Sequence, residues 1–133
     1  MRLVVSVFLC LLFSVVSTFA QQPPLERTVD SLEASLAQRK DAERIATLSE
    51  LCNLLYDLGD SAREQKYLRV LLKENEQRGD TKGAGYNYTR LLVSYFNFDQ
   101  YDQLEAELPD ALAYLLETEQ LDYYYTLRAL QID

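Results

Sequence analysis

The chain has 133 residues with 21 acidic and 13 basic side chains, a net charge of −8, and no histidine. The missing histidine removes Ser-His-Asp and Cys-His nucleophile chemistry, His-ligated zinc and phosphohistidine relay at once. The acidic balance disfavours nucleic acid and anionic lipid headgroups as partners.

Residues 1–20 differ from everything after them. A lone charge, Arg2, precedes an apolar run from Leu3 to Val16, and Ser17-Thr18-Phe19-Ala20 ends the segment with small residues. This pattern reads as a secretory signal cleaved after Ala20, leaving a periplasmic or secreted chain. The competing reading is an uncleaved membrane anchor with the repeats outside the cytoplasm. That run is shorter than the roughly 20 residues a spanning helix prefers, and Ser6 and Ser14 dilute it. Cleavage leaves 113 residues, enough for one domain with its own core. Cys10 falls within the signal, so the mature chain keeps only Cys52, excluding an internal disulfide.

Helical periodicity runs through the rest. Behind Pro23-Pro24, within a 21–40 N-terminal helix and linker, Leu25, Val29, Leu32 and Leu36 form a first apolar stripe. Ile45, Leu48, Leu51, Cys52 and Leu55 form a second, and Tyr67, Leu68, Leu71 and Leu72 a third. Ala84, Tyr88, Leu91, Leu92 and Tyr95 form a fourth, and Tyr101, Leu104, Leu108, Ala111, Leu112 and Leu115 a fifth. Spacings of three and four, with no period-two alternation, predict an all-α chain of about five to six helices. Pro109 lies inside the fifth stripe without breaking its phase, which predicts one bent helix rather than two.

The punctuation repeats every twenty residues: "LGD" at 58–60, "RGD" at 78–80, "FDQ" at 98–100 and "TEQ" at 118–120. Gly59 and Gly79 suit left-handed helix ends, and Ser61 with Glu64 reads as a capping box for the next helix. Short turns fold successive helices back antiparallel. The repeating unit is therefore a hairpin, 41–80 and then 81–120, with 121–133 as the first helix of a third, cut off from its partner. Such an end would fray or self-associate through an open helix. It would also expose at least one of Tyr123, Tyr124 and Tyr125, which point about 100° apart.

These residues resemble the tetratricopeptide repeat. The family's bulky, leucine, small and aromatic positions are matched by Leu48, Leu51, Cys52, Leu55 and by Tyr88, Leu91, Leu92, Tyr95, and "YDLGD" at 56–60 resembles its hairpin turn. Glu64 and Leu104 stand where the family has a small residue, Glu76 and Leu116 stand where it has proline, and the unit is longer than its 34 residues. The resemblance implies a right-handed α-solenoid of antiparallel hairpins binding a protein or peptide on its concave face. Carried over residue by residue, that face comprises Ser49, Asn53, Tyr56, Tyr86, Thr89, Val93 and Phe96. The chain is also similar to the exported repeat regions of bacterial sensor kinases and transcription regulators, which implies an input region of a longer protein. The alternative is a free-standing periplasmic scaffold or envelope assembly factor. Sequence downstream of Asp133 separates the two.

The remaining signals have blander explanations. Of ten tyrosines, eight fall between 86 and 125, and Tyr88, Tyr95 and Tyr101 lie on core stripes. Asn87-Tyr88-Thr89 matches a glycosylation sequon but sits inside a helix. Arg78-Gly79-Asp80 reads as a helix end before an adhesion tripeptide. Glu105 and Glu107 point about 200° apart on a helix and cannot flank one substrate. Asp99 and Asp102 lack the other ligands and the glycine of a calcium loop. No glycine-rich phosphate loop is present. A non-enzymatic binding module without cofactor or metal is expected.

Overall fold

The computed structural model describes residues 24–131, so the signal expected over 1–20 lies outside the described residues. Among the described residues six α-helices follow one another: α1 (Pro24–Ser35), α2 (Asp41–Leu58), α3 (Ser61–Gln77), α4 (Thr81–Asn97), α5 (Tyr101–Glu117) and α6 (Leu121–Arg128). Among the described residues there is no strand. Each helix packs on the next, and α4 also meets α6 directly, giving an all-α solenoid of consecutive antiparallel pairs. Among the described residues no helix is long and apolar enough to cross a membrane.

One turn geometry recurs at the four corners after α2, α3, α4 and α5. Gly59, Gly79, Asp99 and Glu119 adopt left-handed φ values of 70°, 69°, 56° and 59°. The next residue's amide then reaches back to the last turn of the helix it has left. Asp60 bonds the Leu55 carbonyl at 2.9 Å, and Gln100 and Gln120 repeat the bond to Tyr95 and Leu115 at 2.9 and 2.8 Å. This ties off otherwise orphaned carbonyls and reverses the chain in two or three residues.

The capping box expected of Ser61 and Glu64 does not form. Asp60 is the cap, and its carboxylate accepts from the Arg63 amide at 3.1 Å. The left-handed Gly59 lets α3 begin one residue earlier than the box requires, which moves Glu64 out of reach of the cap and turns it inward. Asp80 caps α4 in the same way, accepting from the Gly83 amide at 2.9 Å.

Leu48, Leu51, Cys52, Leu55, Leu68, Leu71, Leu91, Leu92, Ala111 and Leu115 are fully buried, so the middle of each stripe builds the core. Stripe ends depart from the expectation. Leu25 and Tyr101, each in the first turn of its helix, are exposed. The Tyr101 hydroxyl instead donates to Asp99 at 2.8 Å. Helix α5 runs unbroken through Pro109. The first helix is part of the packed unit rather than a tether. Val29 is fully buried, Glu26 pairs with Arg63 at 2.5 Å, and Tyr67 donates to Glu33 at 2.8 Å.

At the other end α6 stops at Arg128, short of the helix expected over 121–133, and tightens to i−3 bonds from Leu130 and Gln131. Leu127 is fully buried while Tyr125 is 66% exposed. Gly85 leaves room for the Gln120 side-chain amide against α4, which a Cβ there would displace. The Gln120 amide nitrogen donates to the Thr81 carbonyl at 2.9 Å, and its buried oxygen has no partner among the described residues.

Candidate functional site

The first helices of successive hairpins, α2, α4 and α6, line one side of the solenoid. Between them lies a cavity of about 420 Å³. Five of the seven residues expected on the concave face meet there: Asn53, Tyr56, Tyr86, Thr89 and Val93. The other two do not. Ser49 is half-buried and returns its hydroxyl to the Ile45 carbonyl at 2.9 Å. Phe96 is exposed one turn beyond, with its ring edge-on to Tyr101 at 6.2 Å.

The spacing explains the grouping. Positions 53 and 56, and then 86, 89 and 93, are three or four apart, so each set shares a helix face. That face flanks the core stripe, with Thr89 buried and Val93 packed against the core. Tyr56 and Tyr86 are 52% and 46% exposed, so their rings form walls rather than core. Tyr123 of α6 comes within 6.0 Å of the Tyr86 ring and closes the far side.

The floor carries charges that periodicity did not point to. Glu64, from the start of α3, is only 2% exposed and accepts from the Ser94 hydroxyl at 2.9 Å. Ser94 in turn accepts from Gln65, which also donates to Gln100 at 2.6 Å. Arg90 of α4 donates to Asn53 Oδ1 at 3.0 Å, bridging α4 to α2. Its guanidinium lies 5.8 Å from the Tyr86 ring centre and 3.7 Å from Glu64 Oε1. Burial pushes the Glu64 carboxyl above the ordinary carboxylate range, against the opposing pull of Ser94 and Arg90. The sequence signal for Glu64 was its place in the repeat, where a small residue was expected.

Other candidate chemistry is absent from this face. The Cys52 thiol is buried and pushed up to about 12 by that burial, so it packs as a small hydrophobe and holds its proton. Asn87 of the sequon is buried, donating to Asn75 at 3.3 Å and to the Gly83 carbonyl at 3.0 Å. Glu107 is taken up by Arg69 and the Tyr95 hydroxyl. Among the described residues no three His, Cys, Asp or Glu side chains converge as metal ligands. No protein-family model, curated protein or solved structure matches the chain.

Proposed function

We propose that the chain is an exported helical-repeat module that binds a protein or peptide segment in the groove between α2, α4 and α6, as the input region of a bacterial sensor or transcription regulator. The observation that carries the binding role is the convergence of exposed tyrosines and inward polar groups on one concave cavity, the usual composition of a recognition surface. The resemblance to tetratricopeptide repeats supports the same face.

Selection of displayed random peptides against residues 21–133 tests the role. Tyr56→Ala with Tyr86→Ala should weaken the selected peptides about tenfold or more. Both rings are about half exposed, so each truncation should cost no more than about 1.5 kcal/mol, with Tyr86 the larger through its contacts with Tyr123 and Arg90. Retained binding in the double variant, or unfolding by it, would remove the groove from the proposal. Export is tested separately by intact mass of the protein from an expressing bacterium's envelope. A chain beginning at Gln21 is expected, and retention of Met1 would favour the anchor.

A further inference from the structure

The groove's polar groups are already committed in a way that narrows what can enter. Ser94 gives its proton to Glu64, Thr89 gives its own to the Gly85 carbonyl at 2.8 Å, and Thr126 to the Asp122 carbonyl at 2.9 Å. These hydroxyls offer a ligand lone pairs only. Asn53 uses its oxygen on Arg90 and keeps its NH2 to donate. On the floor an acceptor-only carboxylate and a donor-only guanidinium stand side by side, 3.7 Å apart. That separation is too long for a hydrogen bond, so each retains capacity for another partner.

Resting on the peptide-binding reading, we propose that the groove takes an uncharged peptide segment and seats an Asn or Gln side-chain amide across Glu64 and Arg90. A primary carboxamide carries an acceptor oxygen and donor hydrogens on one planar group, so it can accept from Arg90 and donate to Glu64 together. A ligand ammonium would satisfy Glu64 but meet the like charge of Arg90, and a ligand carboxylate would do the reverse. The cavity lining holds one charge of each sign in a chain of net charge −8, so its own field selects neither. Tyr56 and Tyr86 flank the floor and pack the alkyl part of the entering side chain.

The test uses three sets of fluorescein-labelled heptapeptides, acetylated and amidated, identical except for a central Asn or Gln, Lys, or Glu. The Asn and Gln peptides should bind residues 21–133 about tenfold tighter than the other sets. Their affinity should be nearly the same at low and high salt, since no net charge is neutralised. Glu64→Gln puts a donor where the ligand's NH2 would sit, and Arg90→Gln removes the guanidinium. Each should weaken the amide peptides about tenfold, with melting curves confirming a folded variant. If one substitution weakens binding and the other strengthens it, the ligand group is charged and the assignment falls. The ranking of the three sets on the unaltered protein needs no variant to fold. Preference for Lys or Glu peptides that is still lost in Tyr86→Ala overturns the amide alone and keeps the groove as a peptide site. Capture of none of the sets, or of an N-acetylglucosamine oligomer in their place, overturns the peptide reading with it.

Discussion

Glu64 and Leu104 occupy the same place in the two hairpin units, forty residues apart, and both are 2% exposed. The first unit spends that place on a charge held by Ser94 and faced by Arg90. The second spends it on a hydrocarbon next to Leu108, Leu112 and Leu130. The α2/α4 seam is also looser. The backbones of α2 and α4 stay apart and are bridged by Arg90 and Asn53, whereas α4 and α6 pack directly on each other. The first unit's counterpart of Gly85 is Ile45, a half-buried side chain that packs against the core. One repeat thus builds a close seam and the other an open, polar one. The groove lies where the open seam meets the closing helix.

Exchanging the two residues breaks this comparison with the largest expected effect. Leu104→Glu would bury a carboxylate beside apolar side chains and another acid, Glu105. It should cost about 3–5 kcal/mol, the penalty of an uncompensated buried charge. Glu64→Leu should cost less, because Arg90 keeps Asn53 and is 19% exposed to water. Equilibrium urea unfolding measures both. Equal costs would mean that the two places are not distinct environments.

The core should not share the asymmetry. Leu51 and Leu91 are matched positions and both are fully buried. Leu51→Ala and Leu91→Ala should each destabilise by about 2–5 kcal/mol. Circular dichroism during denaturation should give costs of similar size. A much smaller value for either would mean that its unit folds apart from its neighbour.

Much of this fold was legible because helices announce themselves through spacing. Every stripe lies on a helix apart from Leu36, one residue past α1, and the twenty-residue punctuation marks four corners of one backbone shape. What failed did so at ends and in three dimensions. Tyr101 and Leu25 keep the stripe's phase yet stand exposed in the first turns of their helices, which a period cannot register. Ser61 resembles a cap in sequence, but the left-handed Gly59 hands the role to Asp60. The groove face could be read for Asn53, Tyr56, Tyr86, Thr89 and Val93, since helix geometry fixes which residues share a side. Glu64, Arg90 and Ser94 come from two helices, and only packing shows that they meet.

The open seam should also give the molecule a pH signature. Glu64 titrates above the ordinary carboxylate range when folded. A raised carboxyl contributes stability that is complete below its unfolded pKa and is lost as pH rises through the folded value. Glu64→Gln removes that loss. The variant's urea midpoint relative to the unaltered protein should therefore climb as pH rises from the ordinary carboxylate range toward neutrality. A flat difference would mean that Ser94 and Arg90 fully offset burial.

The smallest effects belong to the corners, where the two units differ again. All four share one backbone shape, but the first two corners use glycine and the last two use Asp99 and Glu119. A side chain at positive φ costs about 1–2 kcal/mol because its Cβ crowds the carbonyl. Glycine avoids this at some cost in chain entropy. Nothing lies within 4 Å of a Cβ built at Gly59, so Gly59→Ala should report backbone strain alone, about 1 kcal/mol lost. Glu119→Gly should gain a similar amount, raising the melting temperature by about 4 °C. Asp99→Gly should gain less, since it also gives up the bond from the Tyr101 hydroxyl at 2.8 Å. Thermal melts of the three variants put them in order. If Asp99→Gly stabilises more than Glu119→Gly, the Tyr101 bond contributes nothing at that corner.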